Sequence, residues 1–256
     1  MLPQEETFPE YDRLIEDQRI DLAVIFGAYA DGSPQGSDWG VMMWRSYAAI
    51  LRISGWKEEK QEWGHRYTRT HNGIQVILDL YSAYDLYEIG DANSLFIELL
   101  QTKEIIAYNG HSFYGSLGAL DQAEAYPQNR YQILFMNSCW SYEYYTKQVF
   151  KHKKTEKDPQ GWLDADVVNN TTYAYFPQMS ISTQKFVDNL IAGTLNQGQD
   201  AQGRRYSWQS IVGVMNDQAR GVCPEDADRR DCRHYQPKSA HEIYGVSGVT
   251  TNQFVP

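Results

Sequence analysis

The chain is poor in cysteine, with only Cys139, Cys223 and Cys232 among 256 residues. So few thiols exclude a disulfide-dense scaffold, and no cysteine–histidine spacing makes a zinc site. No apolar run approaches the length of a membrane span. Basic residues are in deficit, 23 against 33 acidic, for a net charge of −10. That balance argues against nucleic acid or an anionic membrane as the main partner. Walker and Rossmann glycine motifs are absent, so no cofactor is expected. The chain lacks Gly/Ser- or Pro-rich linkers and internal repeats. Its first residues, Met-Leu-Pro-Gln-Glu-Glu-Thr, have neither the basic nor the apolar region of a secretion leader.

What is present is length enough for one large core. A single domain is expected, with its core over about 20–195 and a C-terminal helix and edge extension over about 196–256. Apolar runs predict strands at 22–26, 75–80, 105–108 and 133–136, with a further strand at 171–176 and a last edge strand within 243–249. Asp38 is suited to cap a helix presenting Val41, Trp44, Ala48 and Leu51 on one face, with Gly55 beyond its end. Asp91 or Asn93 caps another carrying Leu95, Phe96, Leu99 and Leu100. Further helices are read at 141–150, through Phe186 to Gly193, and at 206–216. The charged run 151–157 reads as a solvated face or loop. Alternating strands and helices predict an α/β fold, a three-layer α/β/α sandwich with a mostly parallel central sheet.

Two of these strands carry the chemistry. Ile105-Ile106-Ala107-Tyr108 leads into Asn109-Gly110-His111-Ser112, and Ile133-Leu134-Phe135-Met136 leads into Asn137-Ser138-Cys139-Trp140. The segment between them, 112–130, exceeds the dozen or so residues a parallel crossover needs, and Leu117, Ala119, Leu120 and Ala123 suggest a short helix within it. Parallel neighbours about 5 Å apart would release an imidazole and a thiol side by side at the edge where α/β proteins hold their sites. A thiol attacks a carbonyl as thiolate, a form favoured by an imidazolium or a helix amino terminus. The backbone N–H groups of Cys139 and Ser112 are candidates for an oxyanion hole. His65, His71, His234 and His241 have no metal-site spacing, and no metal is expected.

An apolar strand ending in histidine, followed by one ending in Asn-Ser-Cys, resembles the caspase–hemoglobinase fold of caspases, metacaspases, legumains, gingipains, clostripain, separases and CHAT-domain peptidases. The likeness rests on residues 105–145, with similar element order over roughly 20–195. It implies a cysteine peptidase in which Cys139 is the nucleophile, His111 the general base and acid, and a peptide or protein the substrate. The family's glycine after the histidine is replaced by Ser112, and Gly110 precedes it instead. The interval from His111 to Cys139 is shorter than in caspases, and the caspase signature around the cysteine is absent, so specificity for aspartate does not carry over. The alternative is a binding or scaffold module that keeps this fold without turnover.

For substrate choice, Asp31, Asp79, Asp85, Asp164 and Asp166 suggest an acidic cleft that favours basic residues, with Asp31 the substrate-binding candidate. Tyr108, Tyr114 and Trp140 equally suit an apolar pocket, and Tyr114 and Trp140 join Asp31 as substrate-binding candidates. Cys223 and Cys232 bracket a polar loop, either as a disulfide formed in an oxidising compartment or as two reduced thiols. Abundant Tyr, Trp, Gln and Asn mildly favours an exported protein.

Overall fold

The computed structural model describes residues 6–200, 202–220 and 243–248. Cys223, Cys232, His234 and His241, and with them the disulfide question, lie outside the described residues. The chain is α/β. After a short helix α1 (Tyr11–Leu14) come strand β1 (Arg19–Phe26), helix α2 (Trp39–Ile53), and strands β2 (Lys57–Gln61), β3 (Gly64–His71) and β4 (Ile74–Tyr81). Helices α3 (Ala83–Ile89) and α4 (Ala92–Thr102) lead to β5 (Ile105–Asn109). The second half runs β6 (Gln132–Asn137), α5 (Ser141–Lys153), β7 (Ala165–Asn170), α6 (Met179–Thr194), α7 (Trp208–Arg220) and β8 (Tyr244–Ser247).

All eight strands form one sheet, in the order β2-β3-β4-β1-β5-β6-β7-β8. The central five, β4 to β7, are parallel; β2 and β3 form an antiparallel edge and β8 pairs antiparallel with β7 at the other. The parallel strands are mostly buried because helices cover both faces, an arrangement compatible with a three-layer sandwich. One face carries α2, α6 and α7, packed over Val24, Ala107, Phe135 and Val168. The other carries α4, α5 and the β5–β6 crossover over Ile25, Ile106, Leu134 and Val167. Phe135 meets Phe186 of α6 with ring centroids 4.8 Å apart. No helix among the described residues is long and apolar enough to cross a membrane.

Three expectations are corrected, and one element went unread. The strand read at 171–176 lies one step earlier, at Ala165–Asn170, where Asp166 and two asparagines disguise a fully buried segment. Asp166 is accommodated there because Tyr131 Oη and Trp208 Nε1 donate to its carboxylate at 2.5 and 2.9 Å. The charged run begins in the last turn of α5, and the expectation that it is solvated fails at Lys153. Lys153 is buried in it, its Nζ donating to the carbonyls of Pro127 and Arg130. The β5–β6 crossover holds three single 3-10 turns, Phe113–Gly115, Gly118–Asp121 and Ala123–Ala125, in place of a helix. The polar hairpin β2–β3 has no apolar run to announce it.

Strand order reverses at β1. The chain leaves β1 through α2 on one face, whereas it leaves the neighbouring β5 through a crossover packed on the other. The loops after these two adjacent strands therefore diverge and leave a crevice between them, the usual binding position of open α/β sheets.

Candidate functional site

The site is built from the carboxyl ends of β5 and β6. Asn109 and Asn137 stand opposite each other in the parallel ladder, so His111 and Cys139 each follow two residues beyond matched strand ends. Both asparagines are buried, which requires partners. Asn137 Nδ2 donates to Asn109 Oδ1 at 2.9 Å, Thr183 Oγ1 donates to the same oxygen at 2.7 Å, and Asn109 Nδ2 reaches the Ile25 carbonyl. This amide network ties β5 and β6 to α6 and β1 directly beneath the edge where the two candidate residues emerge.

Cys139 occupies the turn between β6 and α5. It is half-buried, with Sγ 3.8 Å from the Ala174 carbonyl oxygen. Trp140, in the left-handed region at φ 55°, enters α5; its N–H donates to Thr172 O and no side chain caps the helix. An uncapped amino terminus one residue past a thiol is a field that favours negative charge there. His111 lies in an aromatic setting formed by Tyr29, Phe113 and Phe176, with ring centroids 5.2–6.1 Å away. Its Nε2 is 2.8 Å from the Tyr29 carbonyl oxygen. A carbonyl only accepts, so Nε2 carries the proton and, in the neutral ring, Nδ1 keeps its lone pair. No hydrogen bond joins Cys139 to His111; each side chain is held by a carbonyl of a different loop.

The Tyr29 carbonyl is itself positioned. Asp38 is the cap of α2, accepting from the N–H groups of Gly40 and Val41. Its carboxylate also accepts from the Tyr29 and Ala30 N–H groups at 3.0–3.1 Å. One buried carboxylate thus binds the helix start to the loop that reaches His111. Gly40 allows the approach: a Cβ there would sit 1.9 Å from the Gly27 carbonyl oxygen. Sequence alone marks Asp38 as a cap; nothing local indicates its second duty.

Ser112 is buried, and its carbonyl accepts from the Gly115 N–H and from Tyr145 Oη. Among the described residues neither the Ser112 nor the Cys139 backbone N–H has a protein acceptor. Tyr108 Oη donates to the His111 carbonyl at 2.9 Å, and burial pushes that hydroxyl's pKa well up, so it remains a neutral donor.

The substrate-binding candidates separate. Asp31 lines the crevice beside His111 and is exposed at its mouth. Trp140 is 38% exposed at the site edge, against Tyr173. Tyr114 is 87% exposed, leans on Tyr144 of α5, and is not part of the crevice lining. The acidic cleft does not assemble. Asp79 lies inside β4, bound by Arg66 and Lys103; Asp85 closes a capping box with Ser82; Asp164 pairs with Arg13; Asp166 is buried at the start of β7. Of these aspartates, only Asp31 faces the crevice. His65 pairs with Glu58, and His71 meets Gln197.

Compared with protein-family models, with curated proteins and with solved structures, the chain matches none of them.

Proposed function

We propose that the protein is a cysteine peptidase of the caspase–hemoglobinase type, with Cys139 and His111 as its dyad. One observation carries the reading: the β5–β6 register sets histidine and cysteine at the same distance past adjacent parallel strand ends. The tautomer of His111 supports it, since a neutral ring protonated at Nε2 has Nδ1 available as a base.

In this reading Nδ1 takes the thiol proton and Sγ attacks the scissile carbonyl carbon. The resulting oxyanion is held by the N–H groups of Cys139 and Ser112. Collapse breaks the C–N bond as His111 returns the proton to the leaving amine, giving a thioester. Water, deprotonated by the same imidazole, then hydrolyses it and restores the thiol. A gap between thiol and imidazole before substrate binds is common in such sites.

Alkylation tests the reading without a known substrate. At neutral pH iodoacetamide should modify Cys139 faster than a free thiol, with peptide mass mapping to separate it from Cys223 and Cys232. His111→Ala should slow that modification about tenfold or more. A Cys139 as slow as an ordinary thiol would favour the binding-module alternative.

A further inference from the structure

We infer that the crevice beside His111 is a specificity pocket for an apolar side chain, of leucine to phenylalanine size, flanking the bond to be cleaved. The inference rests on the dyad reading and decides between the two preferences the sequence left open, basic or apolar, in favour of the apolar one. The pocket encloses about 260 Å³ between the loop after β1, the crossover after β5 and the start of α4. It opens at the reversal of strand order, where diverging loops leave room, and His111 forms part of its wall.

Its chemistry selects the occupant. The most buried lining side chains are Ile25, Leu95, Phe96 and Tyr108, each less than 9% exposed. The one polar atom among their side chains, Tyr108 Oη, is already committed to the His111 carbonyl. Asp31 and His111 are the only lining residues with titratable charge at neutral pH, and Asp31 is exposed. A guanidinium or carboxylate inserted past Asp31 would lose its water with no counter-ion below, a large cost. An aliphatic or aromatic side chain loses only unfavourable contact with water, a gain equivalent to roughly ten- to a hundredfold in affinity.

The test uses blocked pentapeptides, Ac-Gly-Gly-X-Gly-Gly-NH2 with X as Leu, Phe, Arg or Asp, titrated into the Cys139→Ala protein so that no turnover intervenes. Methyl NMR resonances of Leu86 and Leu95, both pocket residues, report occupancy. The Leu and Phe peptides should shift those signals and bind at least tenfold tighter than the Arg and Asp peptides. Ala92→Phe adds bulk to an exposed position of the lining, where folding is not at risk, and should weaken the Leu peptide about tenfold. Equal or tighter binding of the Arg peptide, no shift with any peptide, or indifference to Ala92→Phe overturns the inference. Hydrolysis by the unmodified protein is scored separately. Pocket binding without cleavage sinks the dyad and leaves the pocket standing, whereas cleavage beside Arg without apolar binding does the reverse.

Discussion

His111 Nε2 lies 2.8 Å from the carbonyl oxygen of Tyr29, a residue 82 positions earlier in the chain. That contact fixes which ring nitrogen carries the proton, and it depends on a loop held by the cap of α2 rather than by anything near His111 in sequence. In the dyad reading, Asp38 is therefore a positioning residue. Asp38→Ala should cost about 1–2 kcal/mol of stability from the lost cap. It should also slow Cys139 alkylation about tenfold, with a changed pH profile, because Tyr29 O no longer orients the ring. Asp38→Asn keeps one acceptor oxygen and should recover most of both. Denaturation curves and alkylation rates check this; a normal alkylation profile in Asp38→Ala would remove Asp38 from the site.

Substitutions of the two proposed dyad residues differ in their structural cost. Cys139 is half-buried with a single weak sulfur contact, so Cys139→Ala should abolish hydrolysis while moving Tm by no more than about 2 °C. His111 touches three aromatic rings, and His111→Ala should lose about 1 kcal/mol in addition to activity. Unfolding of either variant at room temperature would make that residue structural.

Asp79 was read from sequence as a possible substrate contact, but its carboxylate accepts from Arg66 at 2.7 and 3.0 Å and from Lys103 at 2.5 Å. Its side chain is 3% exposed, and that of Lys103 is 10%. Asp79→Asn should destabilise by about 2–3 kcal/mol, because Lys103 loses its close counter-charge in a shielded place and keeps only Asp21 at 4.0 Å, while the Arg66 side chain, 35% exposed, is hydrated by water. Urea denaturation measures the loss; a cost below about 1 kcal/mol would mean water compensates them.

Burial raises the Asp166 carboxyl to about 7, against the lowering effect of its bonds from Tyr131 and Trp208. Its unfolded value is near 3.9, so between about pH 4 and 7 the unfolded chain holds fewer protons at this group than the folded one. Its contribution is thus favourable at low pH and declines as pH rises through that window, by up to about 1.4 kcal/mol per pH unit. Asp166→Asn removes the titration and keeps an acceptor oxygen. Stability relative to wild type should therefore shift in favour of the variant from pH 4 to pH 7. Parallel stability–pH curves for the two proteins would contradict the burial effect.

Much of the sheet was legible because burial writes itself locally. The runs at β1, β5 and β6 are apolar over four or more consecutive residues and that at β4 over three, and Leu95, Phe96, Leu99 and Leu100 repeat at helical spacing. The edge strand β8 falls within the segment 243–249 read as a last strand, although no consecutive apolar run marks it. β7 was misplaced because Asp166, Asn169 and Asn170 are buried by partners distant in sequence, which no window on the chain contains. The hairpin β2–β3 escaped because a polar, half-exposed edge has no strand periodicity strong enough to read.

By itself, then, the sequence determined an α/β chain with two short apolar strands that end in histidine and cysteine, since strand burial depends on consecutive side chains. Tertiary structure alone decided what surrounds those two residues. It assigned Tyr29 O to His111 and bound Asp79, Asp164 and Asp166 to partners distant in the chain. It also opened an apolar crevice where β1 and β5 part. The physical reason is range. Hydrophobic periodicity acts over neighbouring residues, whereas hydrogen-bond partners and the faces taken by diverging loops are set only when segments many residues apart pack together.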